Sequence, residues 1–415
     1  MEREYLARGT VVRYEAAPAS PGGDGGARAV DPAPITTRVV VRAPAAPTRF
    51  SGVVVTEWLN VSSGSDAGPD WTYLADEIVR QGHAWVGVSA QMVGAVGGPA
   101  SVGDQDAPGL RGTDPERYGA LDHPGDAYAY DVFTQVGATI AEATAPLGGY
   151  AVRRRVAVGE SQSAFALTSY LIHVAATAGV FDAYLVHSRG RYELGLGEPG
   201  EPARLERLRG GATALLPDDL DRPVIVVQTE TDVVTERFAF AAARQPDTEW
   251  RHTWEIAGTA HADRWQIGEF EEFLGCPEPV NRGQQAYVLR AALRHLVAGT
   301  PPPAATPLEL SVSGELVPDE VGNARGGVRT PVVAAPAELL SGLASPDASV
   351  LCSLFGATRP VDPAVLRARY RSVQDYLAAY QAATEAAIAA GFVLAEDREA
   401  VLAEARVDVV AAALA

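Results

Sequence analysis

The segment from Arg154 to Phe165 constrains the fold more than any other part of the chain, because it combines a strand, a tight turn and a helix. An apolar run leads into the turn Gly159–Ser163, and a helical pattern of apolar residues follows at once. A serine at the tip of such a turn exposes its hydroxyl, and its neighbours have to be small. Gly159 meets this requirement, whereas Ser163 stands where glycine is usual. We therefore predict an α/β fold that presents Ser161 as a nucleophile.

A serine hydroxyl becomes a good nucleophile only when a base takes its proton, and the base needs a third group to orient it. Among the seven histidines, His261 is the predicted base, because it lies in a loop of small residues just after the strand-like run Thr253–Ile256. His187 ends another strand-like run and His123 lies in a polar loop, so both are candidates for lining the site. The other four are interpreted as structural, namely His83, His173, His252 and His295.

Two acidic residues, Glu230 and Asp232, are candidates for orienting the histidine. Both follow the continuous apolar run Val224–Val227, which is typical of a buried parallel strand, and both precede His261. Asp232 is favoured because an apolar pair follows it directly, and Glu230 remains the alternative. The carboxylate that does not orient the histidine is interpreted as a supporting group or a helix N-cap.

Acyl transfer also needs N–H donors that point at the developing oxyanion. One donor is normally the backbone N–H of the residue after the nucleophile, which is Gln162 here. We predict that the loop after the third strand supplies the second donor, through the backbone of Trp58 or Leu59. Glu57 in the same loop is either a buried, paired carboxylate or a group that reaches the site, because burial without a partner is too costly.

Two arginines in glycine-containing stretches are further candidates for the substrate pocket. Arg189 stands in Ser188-Arg189-Gly190 directly after a strand, and Arg329 stands between Val328 and Thr330 in an irregular segment. An arginine can clamp a substrate carboxylate with two hydrogen bonds. It can also tie a loop to the body of the protein through backbone carbonyls. The structural tie is the simpler interpretation for both, and the pocket role stays open.

Charge and composition argue against several classes of partner. The chain has 415 residues and a formal net charge of −18, which disfavours binding to nucleic acid or to an anionic membrane surface. No apolar run reaches the length of a membrane span, and the first residues lack the apolar core of a signal peptide. Cys276 and Cys352 show no metal or redox spacing and are interpreted as buried thiols, so we expect a reducing, cytoplasmic location.

Predicted strands alternate with helices through residues 1–300, which is typical of a mostly parallel sheet covered on both faces. Three segments interrupt this core as loops or insertions: Ala17–Pro34, residues 91–126, and residues 191–220 with a short helix at Leu205–Arg209. A proline cluster after residue 300 separates the core from residues 301–415, an irregular segment followed by helices that are predicted to pack on it.

One long C-terminal helix is predicted to begin after Asp362 and to stop at Gly391. Its apolar face would contain Leu366, Tyr370, Val373, Leu377 and Tyr380. A last helix is predicted from about Arg398 to the C-terminus.

Together these motifs resemble the α/β-hydrolase superfamily, and more closely a group of bacterial proteins known mainly as "α/β hydrolase domain" proteins. The segments that carry the resemblance are residues 57–62, 85–91, 159–164, 187–190, 228–232, 258–263 and 327–331. It implies an α/β-hydrolase fold with a mostly parallel central sheet, cap insertions and a C-terminal helical extension. It also implies a serine, acid and histidine in that order along the chain. In that group a serine in place of the second glycine is usual, which accounts for Ser163.

The leading hypothesis is a serine hydrolase that cleaves a small carboxylic ester, lactone or thioester through an acyl-enzyme on Ser161, without a cofactor or metal. One alternative is an acyltransferase or cyclase of small-molecule biosynthesis that uses the same residues. A second alternative, from another class, is a ligand-binding protein without catalysis. Labelling by a fluorophosphonate probe separates the last from the first two, and product analysis separates those from each other. The sequence leaves the substrate and the oligomeric state open.

Overall fold

The computed structural model describes residues 1–16, 27–101, 106–142, 145–205 and 211–415. Residues 1–224 form a first unit and residues 225–415 a second. The strands of the first unit are β1 (Glu2–Ala16), β2 (Ala27–Arg42), β3 (Val53–Trp58), β4 (Ala84–Val88), β5 (Gly98–Pro99), β6 (Asp106–Ala107), β7 (Arg154–Glu160) and β8 (Ala183–His187). Its helices are α1 (Pro69–Arg80), α2 (Met92–Val96), α3 (Gly109–Thr113), α4 (Pro115–Tyr118), α5 (Ala129–Thr139), α6 (Gln162–His173) and α7 (Ala175–Ala178).

The main sheet of the first unit has the strand order β1-β2-β4-β3-β7-β8. Strand β3 pairs in parallel with β4 and β7, and β7 pairs in parallel with β8, whereas β2 runs antiparallel to β1 and β4. Strands β3, β4 and β8 are buried over their whole length, as continuous apolar runs in parallel strands require. The predicted mostly parallel sheet is confirmed, with antiparallel strands added at its N-terminal edge.

The direction in which the chain adds strands reverses after β4. The step from β3 to β4 leads toward β1 through α1, whereas the steps to β7 and then to β8 lead the other way through α5 and α6. Crossover connections between parallel strands are right-handed, so α1 covers one face of the sheet, and α5 and α6 cover the other. Helices therefore lie on both faces, and Ser161 occupies the turn between β7 and α6.

The long N-terminal loop is shorter than predicted. Strand β2 begins at Ala27, so the second half of the predicted loop Ala17–Pro34 is strand, and residues 17–26 lie outside the described part of the chain. Strand β4 pairs only with Val39–Arg42 of β2. Pro32 and Pro34 therefore lie in the part of β2 that pairs with β1 and not with β4. A proline is tolerated there because its missing N–H is not needed to bond a second strand.

One further prediction in this unit was wrong at the level of short elements. Residues 91–126 were predicted as loop but contain α2, α3, α4 and the β5–β6 pair. The missed signal for α4 is Asp114-Pro115, in which the Asp114 carboxylate accepts from the N–H of Arg117 and caps the helix. The short helix predicted at Leu205–Arg209 falls on residues 206–209, which the structure does not describe.

The second unit begins with the strand–helix pair that follows the predicted acid strand. Its strands are β9 (Val224–Thr229), β10 (Arg251–Ile256), β11 (Glu338–Ser341) and β12 (Ala357–Pro360). Its helices are α8 (Glu230–Val234), α9 (Arg264–Ile267), α10 (Glu271–Leu274), α11 (Gln285–Ala298), α12 (Pro331–Ala334), α13 (Pro363–Arg369), α14 (Val373–Ala389), α15 (Arg398–Ala403) and α16 (Val407–Leu414). Strands β9 and β10 are hydrogen-bonded neighbours, and β11 pairs antiparallel with β12.

The C-terminal helices share one apolar cluster with α11 through Tyr287. The single helix predicted after Asp362 is two helices, because α13 ends at Arg369 and Tyr370 is extended before Ser372 caps α14. The apolar spacing runs through this break, but Leu377 is 39% exposed and does not share the buried face. The last predicted helix is likewise two, α15 and α16.

A disulfide bond joins Cys276 to Cys352, so the prediction of two buried thiols was wrong. The two residues are 76 positions apart, and only folding brings their Cα atoms to 5.5 Å. The expected cytoplasmic location rested on free thiols and loses that argument. Within the described residues, no helix combines the length and the apolar character needed to cross a membrane.

Candidate active site

Ser161 lies at a strained turn between β7 and α6, with φ 58° and ψ −119°. A positive φ is unfavourable for a residue with a side chain, so the turn at Ser161 is strained. The N–H of Ser161 donates to the carbonyl oxygen of His187 at 3.0 Å, which ties the turn to the end of β8. A Cβ at Gly159 would lie 3.0 Å from the carbonyl oxygen of Ser163. Any side chain at residue 159 would thus crowd the first turn of α6.

The backbone N–H of Gln162 is the first of helix α6. The first N–H groups of a helix have no acceptor inside the helix, and the helix dipole favours negative charge at this end. Gln162 thus lies at the N-terminus of α6 directly after Ser161, and its role as an oxyanion donor stays a prediction.

Of the two residues predicted to supply a second donor, Leu59 has another acceptor and the Trp58 side chain lies in the core. The N–H of Leu59 already donates to the carbonyl oxygen of Val88 at 3.2 Å, so the prediction for Leu59 was wrong. The ring of Trp58 is fully buried against Tyr130 and Phe133, and its indole N–H donates to Oε1 of Gln91 at 3.1 Å. The Trp58 side chain accordingly belongs to the core, and a donor role for its backbone N–H stays a prediction.

Asn60, which the sequence analysis did not single out, ties this loop to the elbow. Its Nδ2 donates to the backbone oxygen of Glu160 at 3.0 Å and to Oε2 of the same residue at 3.2 Å. Its Oδ1 accepts from the N–H of Ser62 at 2.8 Å. The available signal was an amide side chain placed directly after a buried strand. Asn60 thus fixes the loop after β3 against the residue that precedes Ser161.

A buried polar cluster behind this loop accounts for Glu57 and His187. Glu57 accepts from the backbone N–H groups of Asp70 and Trp71 at 3.0 and 2.8 Å, and from the indole of Trp85 at 2.8 Å. Burial and the neighbouring Asp70 raise the pKa of Glu57 well above its usual value. Nδ1 of His187 lies 3.0 Å from Oδ1 of Asp70, and His187 has no exposed surface. The prediction that His187 lines a pocket was therefore wrong.

His123 is also a structural residue. Its Nδ1 accepts from the N–H of Gly125 at 3.2 Å, so Nε2 carries the proton and donates to the carbonyl oxygen of Ala90 at 2.9 Å. Burial lowers the pKa of His123, which favours this neutral form. The ring holds two loop backbones together and does not reach toward a substrate.

Arg189 and Arg329 tie loops through backbone oxygens, as the simpler interpretation holds. Nη2 of Arg189 donates to the carbonyl oxygen of Ala214 at 2.5 Å, and burial lowers the pKa of this guanidinium to about 10. Nη2 of Arg329 donates to Oδ2 of Asp319 at 2.7 Å and to the carbonyl oxygen of Val333 at 3.2 Å. The alternative pocket role has no support in these contacts.

In the second unit, His261 is held by Asp232. Nδ1 of His261 lies 2.6 Å from Oδ1 of Asp232, and both side chains are buried. The other oxygen of Asp232 accepts from the backbone N–H of Thr229 at 2.8 Å and from its hydroxyl at 2.7 Å. The ring of Phe238 stacks on the imidazole, with centroids 4.3 Å apart. When the proton is on Nδ1, Nε2 of the neutral ring carries the lone pair that can accept a proton.

Glu230 holds the backbone around the histidine loop. Its carboxylate accepts from the N–H of Gly258 at 2.6 Å and from the N–H of Gly342 at 2.8 Å. Burial raises the pKa of Glu230 to about 7, and the two backbone donors partly oppose this rise. Of the two candidate acids, Asp232 contacts the imidazole and Glu230 does not take that position.

The described side chains form no candidate metal centre. Among these residues, no group of three histidine, cysteine or acidic side chains is arranged to hold a metal ion.

Comparisons with known proteins give one match along the sequence. A family model described as "Alpha/beta hydrolase domain" matches residues 1–403. No curated protein matches the chain. Similar solved structures include Est1E from Butyrivibrio proteoclasticus (11% identity, 69% of this chain and 99% of that chain, TM-score 0.35). Another is a fungal esterase from Rhizomucor miehei (12% identity, 72% of this chain and 83% of that chain, TM-score 0.34). A third is a serine hydrolase without lid from Xanthomonas campestris (14% identity, 62% of this chain and 85% of that chain, TM-score 0.31). Such low TM-scores carry no argument about the reaction.

Proposed function

The chain belongs to the α/β-hydrolase domain family, and on this premise we propose that it is a serine hydrolase that cleaves a small carboxylic ester, lactone or thioester. The observation that carries the proposal is the turn at Ser161. A serine with positive φ follows a buried parallel strand and precedes a helix whose first N–H belongs to Gln162. This geometry presents a hydroxyl and an oxyanion donor side by side.

In the proposed reaction, Oγ of Ser161 attacks the substrate carbonyl while Nε2 of His261 takes the hydroxyl proton. Asp232 keeps the other ring nitrogen protonated and stabilises the imidazolium. The N–H of Gln162 donates to the oxyanion of the tetrahedral intermediate. His261 then returns the proton to the leaving oxygen or sulfur, which departs and leaves an ester on Ser161. Water, deprotonated by His261, attacks this ester and releases the carboxylic acid.

The contacts of Asp232 support its assigned role. Oδ1 of Asp232 faces Nδ1 of His261, and Oδ2 accepts two hydrogen bonds from Thr229. These contacts fix the orientation of the carboxylate toward the imidazole. The order of Ser161, Asp232 and His261 along the chain is the order found in α/β hydrolases.

A fluorophosphonate probe tests the nucleophile. We expect one covalent adduct on the peptide that contains Ser161, and none in Ser161→Ala. Ser163→Ala is the matched control, because this neighbouring serine is fully buried and should leave labelling intact. An adduct on any other residue, or labelling of Ser161→Ala, would refute the assignment.

A panel of nitrophenyl esters with increasing acyl length tests the reaction class. We expect turnover that disappears in Ser161→Ala and in His261→Ala. Product analysis with water, an alcohol and an amine in competition decides whether the acyl group goes to water. Transfer to the added alcohol or amine in preference to water would replace hydrolysis by acyl transfer.

A further inference from the structure

The second unit contains a cavity of about 260 Å³ that the proposed reaction does not use. Its charged and aromatic lining includes Arg264, Trp265, Arg282, Tyr376, Glu404 and Arg406. Pockets for drug-sized ligands usually measure ~300–1,000 Å³. The cavity therefore suits a smaller molecule with about one ring.

Most charged groups of the lining already have partners. Arg406 pairs with Glu338 at 2.5 Å, and Arg264 pairs with Glu271 at 2.7 Å. Glu404 accepts from the hydroxyl of Tyr287 and from Nε2 of Gln284, each at 2.7 Å. Burial raises the pKa of Glu404, so its negative charge is disfavoured. These groups are satisfied without a ligand.

Arg282 differs from them. It forms no hydrogen bond or ion pair with any residue that the structure describes, although its charge opposes the rise in the pKa of Glu404. A guanidinium offers five N–H donors in a planar fork that matches a carboxylate. Arg264 and Arg406 have carboxylate partners, whereas Arg282 has no hydrogen-bonded counter-ion among the described residues. An anion in this cavity would therefore pair with Arg282.

Aromatic residues form the other part of the lining. The ring of Trp265 is 38% exposed, and the rings of Tyr376 and Tyr380 border the same space. The guanidinium of Arg290 lies 4.9 Å from the centre of the Trp265 ring, which holds that ring in place. A planar apolar body gains contact area on such rings without ordering a flexible side chain.

We propose that this cavity binds a small organic monoanion, with its carboxylate on Arg282 and a single planar ring against Trp265. The inference goes beyond the proposed hydrolysis, because Ser161, Asp232 and His261 take no part in it.

The cavity lies next to the loop that carries His261. A Cβ at Gly283, one of its lining residues, would lie 2.6 Å from the carbonyl oxygen of Gly258 and 2.7 Å from Cγ2 of Thr259. On the other side, Asp263 caps α9, the helix that contains Arg264 and Trp265. The lining thus includes Arg264 and Trp265, which follow the histidine loop, and Gly283, which packs against the start of that loop.

Isothermal titration calorimetry with the full chain tests the proposal, using benzoate, its neutral counterpart benzamide, and acetate as an anion without a ring. We expect benzoate to bind more tightly than either of the others. Arg282→Gln should weaken benzoate binding by at least about tenfold, the usual cost of losing hydrogen bonds to a charged group. Arg282→Lys keeps the positive charge but loses the planar guanidinium. Its affinity for benzoate should lie between those of the wild type and Arg282→Gln.

Arg325→Gln is the matched control, because Arg325 is an exposed arginine of the same unit that pairs with Glu309 and does not line the cavity. It should bind benzoate like the wild type. Arg282 makes no hydrogen bonds within the described residues, so its substitution should leave the thermal midpoint unchanged. Equal benzoate binding by Arg282→Gln, equal binding of benzamide, or no benzoate binding by the wild type would each overturn the proposal. None of these measurements depends on turnover, so failure of the proposed hydrolase would be seen separately.

Discussion

Oδ1 of Asp232 lies 2.6 Å from Nδ1 of His261, whereas Glu230, two residues earlier, turns its carboxylate to the backbone of Gly258 and Gly342. Both acids follow β9 and both are buried. One orients an imidazole and the other holds the strand end and loop that precede it. These two carboxylates should therefore respond differently to removal of their charge.

Asp232→Asn should lower kcat for an ester substrate by about 10⁴, since an amide there favours the wrong histidine tautomer. Glu230→Gln should lower kcat by much less, because it leaves the Asp232–His261 contact in place. Steady-state kinetics on the same ester, with the folded state of each variant checked by circular dichroism, gives the comparison. A larger kcat loss in Glu230→Gln would reverse the roles assigned to the two acids.

The raised pKa of Glu230 predicts a loss of stability as pH increases. The folded protein holds this proton up to about pH 7, whereas the ordinary value is 4.5. Between these values the folded state binds more protons than the unfolded state, so the free energy of unfolding falls as pH rises through this window. The shift corresponds to a contribution on the order of 3 kcal/mol that is present below pH 4.5 and lost above pH 7.

Urea unfolding at pH 5 and pH 8 gives the change in the free energy of unfolding between these pH values. The contribution of Glu230 is the difference between this change in the wild type and in Glu230→Gln. Glu278→Gln is the control with no expected change between these pH values, because Arg359 lowers the pKa of Glu278 and its contribution is lost only below about pH 4.5. The same pH dependence in wild type and Glu230→Gln would contradict the prediction.

Breaking the disulfide should destabilise the second unit. The bond closes a loop of 76 residues, and removing such a crosslink costs about 2–4 kcal/mol, chiefly by freeing the unfolded chain. The segment after Cys352 also supports the histidine loop, because the carbonyl oxygen of Leu354 accepts from the N–H of Ala262 at 3.0 Å. Cys276→Ser with Cys352→Ser should lower the urea midpoint by a corresponding amount. Thiol titration of the denatured, unreduced wild type should find none, and two titratable thiols would rule the bond out.

Asn60→Ala should impair both stability and turnover. It leaves the N–H of Ser62 and the buried carbonyl of Glu160 without this partner, at about 1–3 kcal/mol for each unsatisfied group. It also releases the loop beside the nucleophile, and a displacement of 1 Å near a reacting centre can cost about 100-fold in rate. We therefore expect kcat to fall with little change in KM.

Asn323→Ala is the control for Asn60→Ala, because Asn323 is also a buried amide and accepts from the N–H of Leu340 in the second unit. It should lose stability and keep its kcat. If the two variants lose kcat to the same extent, Asn60 has no special role at the elbow.

Local sequence determined the elements around Ser161. The apolar run before Gly159 and the helical pattern after it are properties of one short segment, so strand, turn and helix were predictable without knowledge of the rest of the chain. The same holds for β9 and for the helix cap at Asp362. Breaks between helices were missed, because the apolar spacing continues through Tyr370 while the backbone becomes extended there.

Only the tertiary structure decided which partner each polar group has. Glu230 and Asp232 follow the same strand, and the distance to His261 distinguishes them. The Leu59 N–H is occupied by Val88, Asn60 reaches Glu160, and Cys276 reaches Cys352. Each of these contacts joins residues between 29 and 100 positions apart. A hydrogen bond or a disulfide forms only within a few ångströms, and separations of that size are set by the packing of whole elements, which no local pattern encodes.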